Sequence, residues 1–363
     1  MTDDPIVRAF DVQSMVCRQF GSAFYGGLAE RIAAGLDAAP GALFAPWRGQ
    51  SFEAVMDAAA PLRFLSALHD LGLSGDDPAL KLAFPPAGDV DAAWAATREA
   101  MARHGPRLAA FMRHEPQTNE VRRSACLLPG FLVIARETGL PLRCLEAGAS
   151  AGLNQLWHRF GYDLGVAGRW GDPFAPLQLD TEWRGPPPPL QAPVRVVSTA
   201  ACDRKPIDIA DPAQRRRLKA YLWPDQTERI VRFDAAADMA VAAGGRVEAA
   251  DAADWAAANA APRAGVATVF FHSIFWQYLP AGTQDAIRGA LEHHGAAATR
   301  AAPLAWLRME PAPGQMAPIE LRLTLWPGGD DRRLAVVHAH GAKVEWDGAG
   351  RPAALDGKSL AAP

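Results

Sequence analysis

The stretch L-R-C-L-E-A-G-A-S-A-G-L-N, residues 142–154, decides the fold class of this chain. An apolar run typical of a buried β-strand leads into Glu146, then into a turn of small residues, then into an amphipathic segment that predicts a helix from about Ala151 to Phe160. A strand, a glycine turn and a helix N-terminus in this order form a site for a nucleotide-like cofactor, because backbone N–H groups converge there. We therefore expect a ligand at the end of this strand.

The same stretch fits two known motifs. As E-x-G-x-x-x-G, with Glu146, Gly148 and Gly152, it is similar to the first motif of class I S-adenosylmethionine (SAM) methyltransferases. As G-x-S-x-G, centred on Ser150, it is similar to the nucleophile elbow of α/β-hydrolases. These two interpretations predict different chemistry, so the rest of the sequence has to separate them.

Bulk composition is that of an ordinary globular protein. The chain has 363 residues, of which 49% are hydrophobic and 21% charged, enough for two or three domain-sized units. A formal net charge of −3 gives no electrostatic reason to expect nucleic acid or an anionic membrane as a partner. No segment is long and apolar enough to span a bilayer, and the opening M-T-D-D-P shows no signal peptide. We expect a cytoplasmic protein that acts on a small molecule; the oligomeric state stays open.

Cysteine and histidine positions do not predict a metal site. The cysteines are scattered without a C-x-x-C pair, which disfavours zinc and a disulfide framework and fits a reducing compartment. They are Cys17, Cys126, Cys144 and Cys202. His338 and His340 alternate on a predicted strand and share one face, but a metal there would need a third ligand that the sequence does not show.

The first part of the chain has a helical pattern up to about residue 139, without a convincing strand. Large apolar residues recur every four positions, which marks one buried helix face: Phe20, Phe24, Leu28, Ile32 and Leu36. Asn119 is placed to cap a helix whose first turn holds Glu120 and which ends at Gly139. We predict an all-helical N-terminal domain over residues 1–118.

From Leu142 onward, strands and helices alternate. The predicted strands are Leu142–Ala147, Val194–Ser198, Val247–Ala249, Val266–Phe271, Leu304–Met309, Ile319–Trp326 and Leu334–Ala339. Helices are predicted over Gln214–Leu222 and Thr283–His293, and the run Pro186–Pro189 predicts a loop or rim. Repeated β–α units that end in a hairpin predict an α/β fold over residues 119–363. We expect a Rossmann-like, class I methyltransferase-type doubly wound sheet with a C-terminal antiparallel hairpin.

Acidic residues at predicted strand ends are the candidate cofactor ligands. Asp203 follows the second strand, where a carboxylate can accept both ribose hydroxyls of a nucleoside; a solvated loop acid is the alternative. It lies 57 positions after Glu146, so the proline-rich stretch must be an insertion. Asp251 follows the third strand, where it would accept the adenine amino group, while Trp255 fits the core. The predicted cofactor-binding residues are Glu146, Gly148, Ala149, Ser150, Gly152, Asn154, Asp203, Asp251 and His272.

The fourth strand ends at the position that faces the substrate in such a sheet. His272 is a candidate general base, because its ordinary pKa is close to neutrality, although a packed or hydrogen-bonded histidine is the alternative. Tyr278 is the second candidate catalytic residue, placed to orient a substrate or to cap a turn. An Asn-Pro-Pro-Tyr-like motif is absent here, which argues against adenine or glutamine amino groups as methyl acceptors.

The chain also resembles a known bacterial family over nearly its full length. The resemblance rests on the strings P-L-R-F-L-S-A-L-H (61–69), Q-T-N-E (117–120), L-E-A-G-A-S-A-G-L-N (145–154), C-D (202–203) and H-S-I-F-W-Q-Y-L-P (272–280). It is similar to domain-of-unknown-function family 2332, whose core resembles class I methyltransferases. The departures from the broader methyltransferase pattern are a glutamate where aspartate is commoner and the long insertion before Asp203.

These features favour a SAM-dependent methyltransferase acting on a small-molecule acceptor, with SAM as cofactor. The helical domain would cover the mouth of the site, with Asn119, Glu120 and Arg122 as possible substrate contacts. One alternative is a non-catalytic methyltransferase-like protein that binds SAM or another nucleotide.

The other alternative is an α/β-hydrolase with Ser150 as nucleophile and Asp251 with His272 or His338 as partners. It is opposed by the lack of strands upstream, by Glu146 having no role beside the nucleophile, and by the missing HGGG-type loop.

Overall fold

A computed structural model describes residues 4–36, 42–314 and 317–348. The chain divides into two compact units. Unit 1 comprises Met1–Thr118 and Ile209–Asp234, and unit 2 comprises Asn119–Asp208 and Ala235–Pro363. The first break therefore lies where the sequence divides the predicted domains, and Ile209–Asp234, placed in the second domain by the sequence, belongs to unit 1. The outer ends of the predicted domains, residues 1–3 and 349–363, lie outside the described residues.

Among its described residues, unit 1 consists of helices and connecting loops, with no β-strand. Its helices are α1 (Pro5–Gln19), α2 (Ala23–Gly35), α3 (Phe52–Asp57), α4 (Ala60–Ser74), α5 (Pro78–Ala83), α6 (Val90–Met112) and α8 (Pro212–Ala220). Most begin at a side-chain cap, because Asp or Ser oxygens accept from the first free N–H groups; Asp77 Oδ1, for example, accepts from Leu80 N at 2.9 Å. Phe20 lies between α1 and α2 and is exposed, so the predicted four-residue repeat is one helix face only from Phe24 onward.

Unit 2 is built on a sheet. After α7 (Arg123–Thr138), which ends at Gly139 as predicted, the strands are β1 (Leu142–Ala147), β2 (Gly161–Asp163), β3 (Arg169–Trp170), β4 (Gln178–Asp180), β5 (Glu182–Arg184), β6 (Val196–Asp203), β7 (Glu248–Ala249), β8 (Ala267–Ser273), β9 (Leu304–Pro311), β10 (Ile319–Trp326), β11 (Asp330–Val337) and β12 (Lys343–Trp346). The remaining helices are α10 (Ala252–Asn259) and α11 (Ala281–Ala296), while α9 (Thr227–Ala243) contains the boundary between the units.

The main sheet has nine strands in the order β5-β12-β11-β10-β9-β8-β1-β6-β7. Strands β7, β6, β1, β8 and β9 are parallel, and β10, β11 and β12 continue the sheet antiparallel. The chain runs from β1 outward to β6 and β7, then returns to β8 on the other side of β1. Strands β1 and β8 therefore flank a topological switch point, where open α/β sheets bind ligands beyond the carboxyl ends of the strands.

Helices cover both faces of the central strands β1 and β8, which are buried along almost their whole length, whereas β6 and β7 are largely exposed. Phe271 on β8 packs against Phe131 of α7, with ring centroids 5.2 Å apart. Its neighbour Phe270 points to the opposite face and packs near Trp255 of α10, at 6.2 Å. The architecture is thus a mixed, Rossmann-like α/β sheet with an N-terminal helical region and C-terminal antiparallel strands. Among the described residues, no helix combines the length and apolarity needed to cross a bilayer.

Several predicted elements need correction. The helix predicted over 151–160 is a 3₁₀ helix, Leu153–Arg159, that starts only after Gly152. The proline-rich insertion is structured: β2, β3 and β4 form a separate small sheet, and β5 pairs with β12 at the far edge of the main sheet. The predicted C-terminal hairpin is present as β10 and β11, and β12 extends it. Short strands and 3₁₀ turns carry too few residues to show a period in the sequence.

Candidate functional site

The turn after β1 is strained and tightly packed. Three of its residues have left-handed backbone: Gly148 at φ +66°, Ser150 at φ +54° and Gly152 at φ +71°. A Cβ on Gly148 would lie 2.1 Å from Cδ2 of Phe275, so only glycine fits beneath that ring. Positive φ at a non-glycine residue such as Ser150 is uncommon, and it clusters at functional sites when the surroundings enforce it.

Backbone N–H groups of this turn are already used within the protein. Ala149 N donates to Cys202 O at 3.1 Å, and Gly152 N donates to Ala149 O at 2.8 Å. Leu153 N donates to the Asn119 side chain at 3.0 Å. Since Ser150 N is also bonded, to Asp203, the expectation of free N–H groups converging here is wrong for these four positions. The turn does not offer them as a cradle for an anion.

Glu146 is the acidic residue of this site that has an oxygen without a partner. It lies near the C-terminal end of β1, is only 3% exposed, and its Oε2 makes no hydrogen bond to any described residue. Burial raises the pKa of the Glu146 carboxyl to about 8, and repulsion from Asp203 adds to this, while Arg123 acts in the opposite direction. A buried acceptor without a donor is costly, so this oxygen is placed to meet a ligand that brings one.

Asp203 braces the turn. Its Oδ2 accepts from Ser150 N and its Oδ1 accepts from Lys205 N, both at 2.8 Å. Each oxygen keeps a second lone pair, so contact with ribose hydroxyls stays a prediction. In the structure, this carboxylate holds the strained turn through its hydrogen bonds. Asp251 is exposed and caps α10 through a 2.8 Å bond from Ala253 N; its adenine contact also stays a prediction.

A buried polar cluster joins the start of α7 to the end of the turn. Asn119 does not cap α7, which begins at Arg123; its Oδ1 holds Leu153 N instead. Asn154, predicted as a cofactor ligand, accepts from Ser124 Oγ at 2.8 Å. Its Nδ2 donates to the Glu120 carbonyl at 3.4 Å. The cluster holds the end of the turn against the start of α7, a role that no local sequence pattern reveals.

His272 is enclosed by protein partners. Its ring is fully buried, Nδ1 lies 2.6 Å from Glu310 Oε1, and Nε2 accepts from Trp306 Nε1 at 3.0 Å. With Glu310 as acceptor on one side and the indole as donor on the other, the ring is held as the Nδ1–H tautomer. Both nitrogens are committed, so the geometry favours positioning over proton abstraction. Tyr278 is 73% exposed, and its predicted catalytic role gains no support from the structure.

Glu310 was missed by the sequence analysis and holds the loop after β8. Besides His272, it accepts from Phe275 N at 3.0 and 3.1 Å through its two oxygens. This loop contains Ile274 at φ +49°, the second strained non-glycine residue at this edge of the sheet. The signal was available: Glu310 is an acid at the end of a predicted strand, as Glu146 and Asp203 are.

Arg123 is a second residue that the sequence analysis missed. It lies at the start of α7, is 9% exposed, and donates from Nε to Ala339 O at 3.0 Å and from Nη1 to Ser273 O at 3.3 Å. It therefore ties the end of β8 to the loop after β11, within electrostatic reach of Glu146. In that loop, burial and the neighbouring Arg122 lower the pKa of His338.

Ser150 does not have the surroundings of a nucleophile. Its Oγ is buried and makes no hydrogen bond to any described residue, and so none to a histidine. The triad logic of a hydrolase requires such a bond to activate the hydroxyl. Within the described ranges, no group of three or more His, Cys, Asp or Glu side chains is arranged to hold a metal ion.

The comparison with known families gives one match, which covers nearly the whole chain. The family described as "Uncharacterized protein conserved in bacteria (DUF2332)" matches residues 7–346. The chain belongs to the DUF2332 family. This confirms the resemblance drawn from the five sequence strings. Neither a curated protein nor a solved structure matches the chain. Because the description of DUF2332 names no reaction, the function must be argued from the geometry of the site.

Proposed function

We propose that this DUF2332 member binds SAM at the carboxyl ends of β1 and β8 and transfers its methyl group to a small molecule. The observation that carries the proposal is the buried, unpartnered Oε2 of Glu146 at the switch point. SAM presents an ammonium group and ribose hydroxyls, all hydrogen-bond donors, beside a positively charged sulfonium. A carboxylate is the matching partner for each of these groups.

The hydrogen bonds of the turn favour SAM over a dinucleotide. A pyrophosphate needs free backbone N–H groups or cationic side chains at the glycine turn. Here the turn already donates its N–H groups to other atoms of the protein, at Ala149, Ser150, Gly152 and Leu153. The unmatched oxygen of Glu146 is an acceptor, so a ligand with donors and positive charge suits it better than a phosphate.

The strand order supports the same class of cofactor. The run β7-β6-β1-β8-β9 has the order 3-2-1-4-5 of doubly wound sheets. Glu146 and the Gly148 turn follow its central strand, the position of the first methyltransferase motif. When bound there, SAM would supply an activated methyl group for in-line displacement. The protein's own part is to hold the acceptor in line and to exclude water, as Phe275 over Gly148 already does from one side.

A non-catalytic SAM-binding protein is the second candidate. It is favoured by one observation: both ring nitrogens of His272, the predicted general base, are bonded to Glu310 and Trp306. A methyl acceptor that is already a good nucleophile needs no base, so this observation limits the acceptor class rather than excluding transfer.

Calorimetric titration of the full chain with SAM and with S-adenosylhomocysteine tests the proposal. We expect micromolar binding of both to the wild-type protein, and a loss of at least about a hundredfold in Glu146→Gln, which keeps the shape but removes the negative charge and one of the two acceptor oxygens. Glu182→Gln on β5 is the matched control, because it neutralises an exposed carboxylate far along the sheet order. Circular dichroism confirms that each variant is folded.

The outcomes separate the candidates. Absence of binding to the folded wild-type protein would overturn the SAM proposal. Equal binding by wild type and Glu146→Gln would remove Glu146 from the site. Binding that is lost in Glu146→Gln but accompanied by no transfer of radiolabelled methyl to a small-molecule extract would support the non-catalytic candidate.

A further inference from the structure

A concave site lies in unit 2, on the sheet face next to α11, and extends to the carboxyl end of β9 and the loop after β8. It is a groove of about 650 Å³, within the size range of small-molecule sites. Its floor is formed by alternate residues of β9 and β10, and one wall is formed by α11. We call it the tryptophan groove, after Trp276, Trp306 and Trp326. It shares Glu310 and Trp306, the partners of His272, with the loop after β8, but Glu146 and the Gly148 turn do not line it.

The floor of the groove is preorganised. Trp306, Arg308 and Glu310 share one face of β9, because strand side chains alternate. Arg308 is held by Asp331 at 2.6 Å and by Thr324 Oγ1 at 3.0 Å, and its side chain is only 14% exposed. An ordinary solvated sheet face leaves its charged side chains in water. Here Arg308 and Glu310 are fixed and largely desolvated beside an open space, as in a ligand site.

Charge in the groove is balanced. The lining carries three guanidinium groups and four carboxyl groups. Several are already paired on the floor: Arg322 contacts Glu320 at 2.8 Å and Asp331 at 3.0 Å. A strongly charged ligand would gain little from such a surface and would disturb the pairs. A neutral ligand that both donates and accepts hydrogen bonds can use the guanidinium and carboxylate groups together.

The indoles do not form an open cage for a cation. The guanidinium of Arg308 already lies 4.1 Å from the Trp306 ring centroid. One face of Trp276 stacks on His272, with centroids 5.3 Å apart and planes 14° apart. Quaternary ammonium recognition needs several free aromatic faces around one cation, and here Arg308 and His272 each take one face of an indole. The rings still provide flat apolar walls between the polar groups, with Trp276 and Trp306 5.5 Å apart.

We propose that the tryptophan groove binds a neutral saccharide of one or two sugar units. A sugar ring has apolar C–H faces that suit indole walls, and hydroxyl groups that each donate and accept. On the α11 wall, Arg288 and Glu292 are one helical turn apart and line the groove. Glu292 has no hydrogen bond or ion pair to any described residue, and Arg288 is anchored by Asp285 at 2.7 Å. The pair offers a donor and an acceptor to the ligand.

Saturation-transfer NMR and tryptophan fluorescence test this with methyl β-D-glucopyranoside, maltose and cellobiose, and with choline and citrate as charged probes. We expect saturable, millimolar binding of at least one sugar. The double variant Arg288→Ala/Glu292→Ala should weaken it by about tenfold or more. Both residues are on the exposed side of α11, so the fold is retained. His293→Ala, next along the same helix and outside the groove, should bind as wild type.

Three results would overturn the proposal: no saturable signal from any of the three sugars, preferential binding of choline or citrate, or sugar binding that the double variant leaves unchanged. The test is independent of the SAM site. Loss of SAM binding in Glu146→Gln with sugar binding retained would leave the tryptophan groove standing, and the reverse result would leave the SAM site standing.

Discussion

Two neighbouring loops at the same edge of the sheet resemble each other and differ in one respect. The loop after β1 and the loop after β8 follow paired parallel strands. Each contains one non-glycine residue with left-handed backbone, Ser150 at φ +54° and Ile274 at φ +49°. Each also has a buried glutamate beside it: Glu146, 3% exposed, and Glu310, 8% exposed. Strain and burial alone therefore do not distinguish the two loops.

The difference lies in the partners of the two carboxyl groups. Glu310 accepts from the His272 ring and from Phe275 N, so its charge is used to hold a loop. Glu146 leaves a buried oxygen without a donor. Since native proteins pair their buried polar groups, the satisfied acid is part of the scaffold and the unsatisfied one points to a ligand. The same acid in the same kind of loop thus has two roles, which depend on its hydrogen bonds.

The same substitution at the two glutamates should act in opposite directions. Glu310→Gln keeps an oxygen for the His272 ring N–H but places an NH₂ group against Phe275 N and removes the charge, so we expect a loss of about 2–3 kcal/mol in the free energy of unfolding, or roughly 5 °C in the thermal midpoint. Glu146→Gln removes the cost of protonating that carboxyl on folding and should raise the midpoint at neutral pH. Thermal unfolding followed by circular dichroism checks both. Equal destabilisation by the two variants would show that Glu146 also has a structural partner.

The pH dependence of stability should separate the two acids further. The folded-state pKa of Glu146, about 8, lies above its ordinary value of 4.5. Its contribution to stability is therefore fully present below pH 4.5 and is lost as pH rises to about 8, because the unfolded chain ionises first. Glu146→Gln lacks this loss, so its advantage over wild type should grow across that window to about 2–4 kcal/mol.

Thermal midpoints of the wild type and Glu146→Gln, measured in parallel between pH 5 and pH 8, test this expectation. The Glu182→Gln control should run parallel to the wild type, because that carboxylate is exposed. A constant difference between wild type and Glu146→Gln across the window would mean that the Glu146 carboxyl ionises normally in the folded protein.

Local sequence patterns predicted those features of the two loops that depend on neighbouring residues in the chain. Strand β1 was predicted residue for residue, because a buried strand followed by Glu146 and Gly148 has a distinctive composition. The positive φ at Gly148 and Gly152 also follows from residue type. The predicted C-terminal ends of β6 and β8 lie five and two residues before the observed ends, since strand boundaries depend on pairing partners rather than on the strand itself.

The other features depend on contacts between distant positions, which one sequence does not contain. Glu310 lies 38 positions after His272, and nothing local says that they meet. The role of Asp203 was likewise predicted from its place after a strand, whereas its first partner is Ser150 N, 53 positions earlier. A predicted base, His272, became a positioning residue for the same reason: its two partners are on β9.

Trp306→Phe weakens the satisfied loop without touching the carboxylate. It removes the N–H that His272 Nε2 accepts and leaves that buried nitrogen without a partner. We expect the free energy of unfolding to fall by about 1–2 kcal/mol, less than in Glu310→Gln, because a neutral hydrogen bond is lost and not a charged one. Thermal unfolding measures it. The double variant Trp306→Phe/Glu310→Gln should cost less than the sum of the single changes, because both act on one ring; full additivity would contradict a shared network.

Ser150→Gly probes the unsatisfied loop and has the smallest expected effect. Glycine accepts φ +54° without strain and removes a buried hydroxyl that has no partner, while its greater freedom in the unfolded chain offsets part of the gain. We expect the free energy of unfolding to rise by about 0.5–1 kcal/mol, and the thermal midpoint by a few degrees at most. Ser150→Ala separates the terms, because it removes the hydroxyl and keeps the strain. SAM affinity should stay within about twofold in both, since the backbone N–H that Asp203 holds is unchanged. If Ser150 instead reacts with a fluorophosphonate probe and both variants lose that labelling, the hydroxyl is a nucleophile, and this loop belongs to a hydrolase.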